Sequence, residues 1–140
     1  MQVTTHLAFD GNCREAFQTY ERILGGKIVF MMTNGESPMA DKVPPTMKDK
    51  VMHASLQIPG GGSIQGGDHP EGKAVKPTGF SVCVTVKDKA EGERIFKGLS
   101  EGGQVQMPYE KTFWSPGFGM CIDKFSVPWM VNTQGDMAPA

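Results

Sequence analysis

Three histidines and three cysteines carry most of the reactive chemistry available to this chain: His6, His53 and His69, and Cys13, Cys83 and Cys121. An imidazole can hold a metal, hydrogen-bond a ligand or move a proton near neutral pH. No His-Glu-x-x-His or other local metal pattern joins the three, so they meet only if the fold gathers them. His6 stands in the run VTTHLAF, where strand alternation puts it on the face of Thr4 and Ala8. It reads either as a hydrogen-bonding or acid/base residue lining a site, or as a strand histidine satisfied by backbone or water. His53 alternates with Ser55 and Gln57, on a polar site-lining face or on a solvated outer one. His69, beside Pro70, is expected to be exposed.

The cysteines are odd in number, widely spaced and without a Cys-x-x-Cys pair, which argues against a disulfide framework or a zinc knuckle. They read as small apolar residues in strands and a helix. Cys13 follows Asn12 at a predicted helix start, where the dipole lowers a thiol pKa, but its position on the apolar stripe favours packing. Tyr109, Phe113, Trp114 and Phe118 cluster around a predicted hairpin. They stack on a ligand, form a dimer contact or fill the core. Trp129, Met130 and Met120 are expected to line the same interior. The ten Met suit an adaptable apolar lining. The glycines of Pro59–Gly67 lack the Gly-Lys-Ser/Thr ending and following helix of a phosphate loop, and read as hairpin turns. No Gly-x-Ser-x-Gly elbow and no glycine fingerprint for a dinucleotide or S-adenosylmethionine is present.

The chain has 140 residues, 14 Lys plus Arg and 15 Asp plus Glu, for a formal charge of −1. That length suits one compact domain, expected over 1–140. A near-neutral balance lacks the basic field that nucleic acid requires. No apolar run approaches a membrane span, and the first residues lack the parts of a secretory signal. The expectation is a cytoplasmic protein with no nucleic-acid or membrane partner.

Two segments share one grammar. In the first, a strand over Val3–Phe9 leads to Asp10-Gly11, and Asn12 is placed to cap a helix, with Glu15 three residues on. Cys13, Ala16, Phe17, Tyr20, Ile23 and Leu24 fall on one helical face, which Gly25-Gly26 ends. In the second, the run Phe80–Val86 reads as a strand, Asp88 caps, and Glu91 follows. Ile95, Phe96 and Leu99 form the stripe that Gly102-Gly103 closes. The cap-to-glycine distances agree to within one residue, which suggests an internal duplication. Three strands come after each helix: Lys27–Thr33, Val51–Ile58 and Ser63–Gln65, then Gly103–Met107, Thr112–Ile122 bent at Pro116, and Pro128–Thr133. Pro59–Gly62 and Asp123–Ser126 turn the last hairpins. Asp68–Gly79 links modules spanning about 1–68 and 79–134. Asn34–Lys50 is too long for a plain hairpin and reads as a functional or mobile loop. Each half is β-α-β-β-β, with one helix covering one sheet face. If the two sheets curve toward each other, the other faces line a cleft.

Three stretches carry a family likeness: Leu7–Gly26 (LAFDGNCREAFQTYERILGG), Met52–Asp68 (MHASLQIPGGGSIQGGD) and Gly119–Asn132 (GMCIDKFSVPWMVN). The sequence resembles the vicinal oxygen chelate superfamily, the glyoxalase/bleomycin-resistance/dioxygenase fold, and within it the PhnB-like branch. The resemblance implies an α+β fold of duplicated βαβββ modules forming a cupped mixed sheet, usually in a homodimer. It also implies four metal-ligand positions, one each on the first and last strands of each module. They fall here on His6, Gln65, Phe80 and Met130. Phe80 cannot ligate, and Met130 stands where a carboxylate is expected, so the leading expectation has no metal and no other cofactor. Relatives in this branch often carry a ubiquinone-pathway methyltransferase label, which no residue pattern here supports. The leading expectation is therefore a small-molecule-binding protein, with His6, His53, Gln65, Trp114 and Trp129 as candidate ligand contacts. The alternatives are a metal-dependent lyase, isomerase or dioxygenase drawing on His6, His53 and Gln65, and a structural or interaction protein acting as a homodimer.

Overall fold

The computed structural model describes residues 1–135; residues 136–140 of the expected domain lie outside them. The chain divides into two compact units, Met1–Val75 and Lys76–Ala140, the second described as far as residue 135.

In the first unit β1 (Thr5–Phe9) leads to α1 (Cys13–Leu24), then β2 (Lys27–Thr33), β3 (Val51–Gln57) and β4 (Ser63–Asp68). The sheet order is β1-β4-β3-β2. β1 runs parallel to β4, and the other pairs are antiparallel. The expected apolar stripe is what α1 buries: Cys13, Ala16, Phe17, Tyr20 and Ile23. Leu7, Phe9, Ala54, Leu56 and Ile64 are buried in the sheet, and their spacing of two along each strand puts them on one face. Phe17 fixes which face that is. A Cβ on Gly66 would lie 2.8 Å from the Phe17 ring, so the glycine lets helix and sheet close up.

Two expectations change here. Asn12 makes no side-chain cap. The start of α1 is held instead by Asp68, whose Oδ1 accepts the Cys13 N–H at 3.0 Å while Oδ2 accepts the Val51 N–H at 2.8 Å. Asp68 is therefore not linker. Pairing with β1 carries β4 beyond Gln65 until Asp68 stands opposite Phe9. The long segment after β2 folds back on itself through two short 3₁₀ turns, Ala40–Lys42 and Pro45–Met47. Asn34 N–H bonds to the Lys50 carbonyl at 2.9 Å, Asn34 Nδ2 to the Met47 carbonyl at 2.9 Å, and Gly35 N–H to the Lys48 carbonyl at 2.8 Å.

The second unit repeats the order: β5 (Val82–Val86), α2 (Lys89–Ser100), β6 (Gln104–Glu110), β7 (Gly117–Ile122) and β8 (Pro128–Thr133). The sheet is β5-β8-β7-β6, with β5 parallel to β8. Asp88 caps α2 as expected, accepting the Ala90 N–H at 3.1 Å. Gly92, Ile95, Phe96 and Leu99 are buried. A Cβ on Gly119 would come 2.7 Å from the Phe96 ring, which assigns Gly119, Cys121, Val131 and Trp129 to the face under α2. The expected bent strand is shorter, because Thr112–Pro116 is a turn. Ser115 is fully buried there. Its hydroxyl lies 2.7 Å from the Gly117 and Thr133 carbonyl oxygens and accepts the Gly117 N–H at 3.1 Å.

Candidate functional site

In each unit one sheet face is covered by its helix, and the chemistry lies on the other. In the first unit, strand register lines up four residues of that other face, one per strand. His6 stands opposite Gln65, Gln65 opposite Ser55, and Ser55 opposite Phe30. Side chains directly opposite on neighbouring strands sit with Cβ atoms about 4.5–5.5 Å apart. His53, two residues from Ser55 on β3, adds its ring to the row. Its centroid is 6.2 Å from that of His6, with ring planes 23° apart, and 5.8 Å from that of Phe30. A β-bulge between Ile28 and Phe30 turns Phe30 onto this face.

His6 is exposed, and His53, Gln65 and Ser55 are half-buried. Packing around the His6 ring nevertheless removes part of its water. That burial lowers its pKa below the ordinary 6.5, and the neighbouring positive charges of His53 and then His69 lower it further. No carboxylate contributes to the shift. His6 thus stays neutral further into acid, able both to accept and to donate a hydrogen bond. His69, expected to be exposed, is half-buried, because its N–H continues the ladder to the Phe9 carbonyl at 2.7 Å. Ser63 alternates with Gln65, and its hydroxyl is buried with no hydrogen-bond partner among the described residues.

The second unit carries a corresponding row. Cys83 stands opposite Met130, Met130 opposite Met120, and Met120 opposite Met107. Trp114 is held at the tip of the Thr112–Ser115 turn, its N–H reaching Thr112 Oγ1 at 3.3 Å. Its ring meets those of Phe113 and Phe118 edge-on, with centroids 4.7 and 5.2 Å away. Phe118 stands opposite Asn132, whose Oδ1 is buried with no partner among the described residues. Trp129 is a correction. It does not share a face with Met130 and Met120 but lies fully buried beneath α2, because it is one residue out of phase with them. Its indole N–H donates to Asp123 Oδ2 at 2.8 Å. Cys13 and Cys121 are also core residues, their thiols each pushed up to about 12, chiefly by burial.

Register corrects one further expectation. Phe9 pairs with Asp68 and Val86 with Thr133. At equal distances from these strand ends, His6 and Gln65 correspond to Cys83 and Met130. Phe80 precedes β5, and Cys83 takes the position assigned to it. The donors at the family's ligand positions are therefore an imidazole and an amide in one unit, a thiol and a thioether in the other. The neutral amide of Gln65 and the soft thioether of Met130 are poor donors for a divalent metal that polarises oxygen, so this set does not fit one, and no step is derived through one. A separate groove of about 270 Å³ lies at the start of α1, lined by Asn12, Arg14, Glu15, Lys50 and Asp68 among others. Asp68 is already engaged there with backbone N–H groups, and Lys50 Nζ donates to the Gly11 carbonyl at 3.1 Å.

The model of the 3-demethylubiquinone-9 3-methyltransferase family matches residues 1–132. The chain belongs to this family. It is 34% identical to protein YjdN of Escherichia coli K12, with 94% of this chain and 95% of that one covered. It is 44% identical to the crystal structure of PA1353 from Pseudomonas aeruginosa, with TM-score 0.88 over 97% of this chain and 99% of that one. A Bacillus cereus PhnB protein, described as a putative 3-demethylubiquinone-9 3-methyltransferase, shares the fold at 23% identity. Its TM-score is 0.77 over 96% of this chain and 100% of that one. The chain thus has the α+β glyoxalase/bleomycin-resistance fold with its duplicated modules.

Proposed function

We propose that this PhnB-like protein binds a small molecule on the face of its first sheet that α1 leaves free, without a catalytic metal, as a cytoplasmic homodimer. The carrying observation is the row His6–Gln65–Ser55–Phe30 with His53 stacked beside it. A neutral imidazole, an amide and a hydroxyl offer directional hydrogen bonds. The Phe30 ring, 44% exposed, offers an apolar wall. A few placed polar groups beside apolar surface are what a small-ligand site needs. The buried Ser63 hydroxyl, without a partner among the described residues, supports the reading, since buried polar atoms are rarely left unpaired. The second unit carries a stacking surface of its own in Trp114 and Phe118. The family description names a methyltransferase, but the turn after β1, Asp10-Gly11-Asn12, offers no glycine cradle for such a cofactor.

The test is NMR of the labelled full chain with phenol, benzamide and benzoate as probes. The His6 and His53 imidazole signals should move on addition of at least one probe, and the His53→Ala variant should lose that response. Shifts confined to Arg14 and Lys50 would move the site to the α1 groove and overturn the assignment. Elemental analysis should find no stoichiometric zinc, nickel, iron or manganese at neutral pH. Light scattering should give a dimer, and a monomer would end that part of the proposal.

A further inference from the structure

The sulfur row of the second unit is not required by the fold. At the corresponding register positions the first unit carries His6, Gln65, Ser55 and Phe30, and its sheet forms equally well. In the second unit all four positions hold sulfur: Cys83, Met130, Met120 and Met107, one per strand. They are not core residues either. The face under α2 holds Trp129, Val131 and Cys121, each fully buried. On the opposite face Met107, Met120 and Met130 are only half-buried and Cys83 is exposed. Neighbouring strands lie about 4.8 Å apart, so Met130 stands between Cys83 and Met120 with about 5 Å on either side. A methionine has three rotatable bonds beyond Cα and can swing its sulfur toward a neighbour. Three sulfurs can therefore converge above Met130 without a change of backbone. No carboxylate or imidazole stands in the row.

We infer that Cys83, Met130 and Met120 form a binding site for a soft monovalent cation of the copper(I) class. One thiolate and two neutral thioethers make a soft donor set, which selects copper(I) and disfavours magnesium, calcium or manganese. On binding, the Cys83 Sγ–H bond breaks, the S–metal bond forms, and the proton passes to solvent; no electron is transferred. Met107 lies one strand further out, at the edge of the sheet, and can hand an ion inward but cannot share it with Cys83. The site shares no residue with the row proposed for the small molecule.

The experiment titrates the purified full chain with silver(I), a redox-inert probe of the same class, and with copper(I) held by a chromogenic chelator. One equivalent of silver should protect Cys83 from alkylation by iodoacetamide and shift the methyl signals of Met120 and Met130. The double variant Met120→Leu/Met130→Leu preserves volume and folding, which a thermal melt checks. It should lose protection at the same silver concentration and bind copper(I) at least about tenfold more weakly, since even loss of a ligand's hydrogen-bond partner costs that much. His6→Ala should change neither. If the double variant holds silver as tightly as the wild type, Cys83 acts as an isolated thiol and the site does not exist. If one equivalent of silver leaves Cys83 open to alkylation, the proposal fails as well.

Discussion

The two units solve the same folding problem with different chemistry. Each places a bulge in its second strand one step before the row residue, between Ile28 and Phe30 in one and between Val105 and Met107 in the other. Each turns its last hairpin over the same loop length. In the first unit that turn is Ile58–Gly62, where Gly60, Gly61 and Gly62 all take positive φ, at 85°, 123° and 91°. In the corresponding turn of the second unit, Asp123–Val127, only Ser126 does so, at 72°, and a side chain organises the turn. Asp123 is 5% exposed, and its Oδ1 accepts the N–H groups of Phe125 and Val127 at 2.8 and 2.9 Å. Its Oδ2 holds the indole of Trp129. Backbone freedom does in one copy what a buried carboxylate does in the other. A duplicated fold thus constrains geometry much more tightly than residue type, and that latitude lets the two rows differ in chemistry.

The largest test of this contrast removes the carboxylate. Asp123→Ala removes the acceptor of three N–H donors, two of them buried, and should cost roughly 3–5 kcal/mol in urea unfolding. Gly61→Ala in the other turn meets no neighbouring atom and suffers only the positive φ, for about 1 kcal/mol. Equal losses would mean that both turns depend on backbone conformation and that Asp123 organises nothing.

A smaller contrast lies at the helix starts. α1 is capped by a residue distant in sequence, Asp68, which also ties down β3 through Val51. α2 is capped locally by the exposed Asp88. Asp68→Ala should cost roughly 2–3 kcal/mol, since two backbone donors lose a charged partner. Asp88→Ala should cost about 1 kcal/mol, the usual value of a single cap. Hydrogen exchange sharpens the comparison. Loss of Asp68 should expose both the Cys13 and Val51 amides, whereas loss of Asp88 should affect only the first turn of α2. If Val51 exchange does not change in Asp68→Ala, the bridge between helix and strand is not a stabilising one.

Legibility in the sequence tracks the range of the interaction. The stripes of α1 and α2, the Asp88 cap and the hairpin turns depend on neighbours a few residues away, and local spacing displays them. The duplication is readable because caps and glycines repeat at fixed intervals. The role of Asp68 is not, because its partners Cys13 and Val51 are distant and a residue at the head of a Pro- and Gly-rich stretch resembles linker. Trp129 is misplaced by sequence pattern for a related reason. In a strand one residue of phase decides between core and site, and the neighbouring Met130 shares its apolar character. The sulfur row is hidden because its four members come from four strands. Only pairing register aligns them, and the run FSVCVTV points to Phe80 where the sheet uses Cys83.

The smallest expected effect lies in the first row and is read by pH. His6 has a folded pKa below 6.5, so the unfolded chain binds a proton at a pH where the folded chain does not. Above 6.5 both states are neutral at this residue and its contribution is fully present. As pH falls from there through the folded pKa, the unfolded state is favoured and stability is lost. His6→Gln should therefore lose less stability than the wild type between neutral and mildly acidic pH. The cause of the shift can be divided further. Burial contributes most, and the His53 charge comes second. In His53→Gln the His6 pKa, followed by its ring proton signals, should rise only part of the way toward its ordinary value. Complete recovery would make the neighbouring charge the dominant cause, and no movement would show that the stacked pair does not couple. The sulfur row has no counterpart to this behaviour: Cys83→Ser should leave the acid side of the stability profile unchanged.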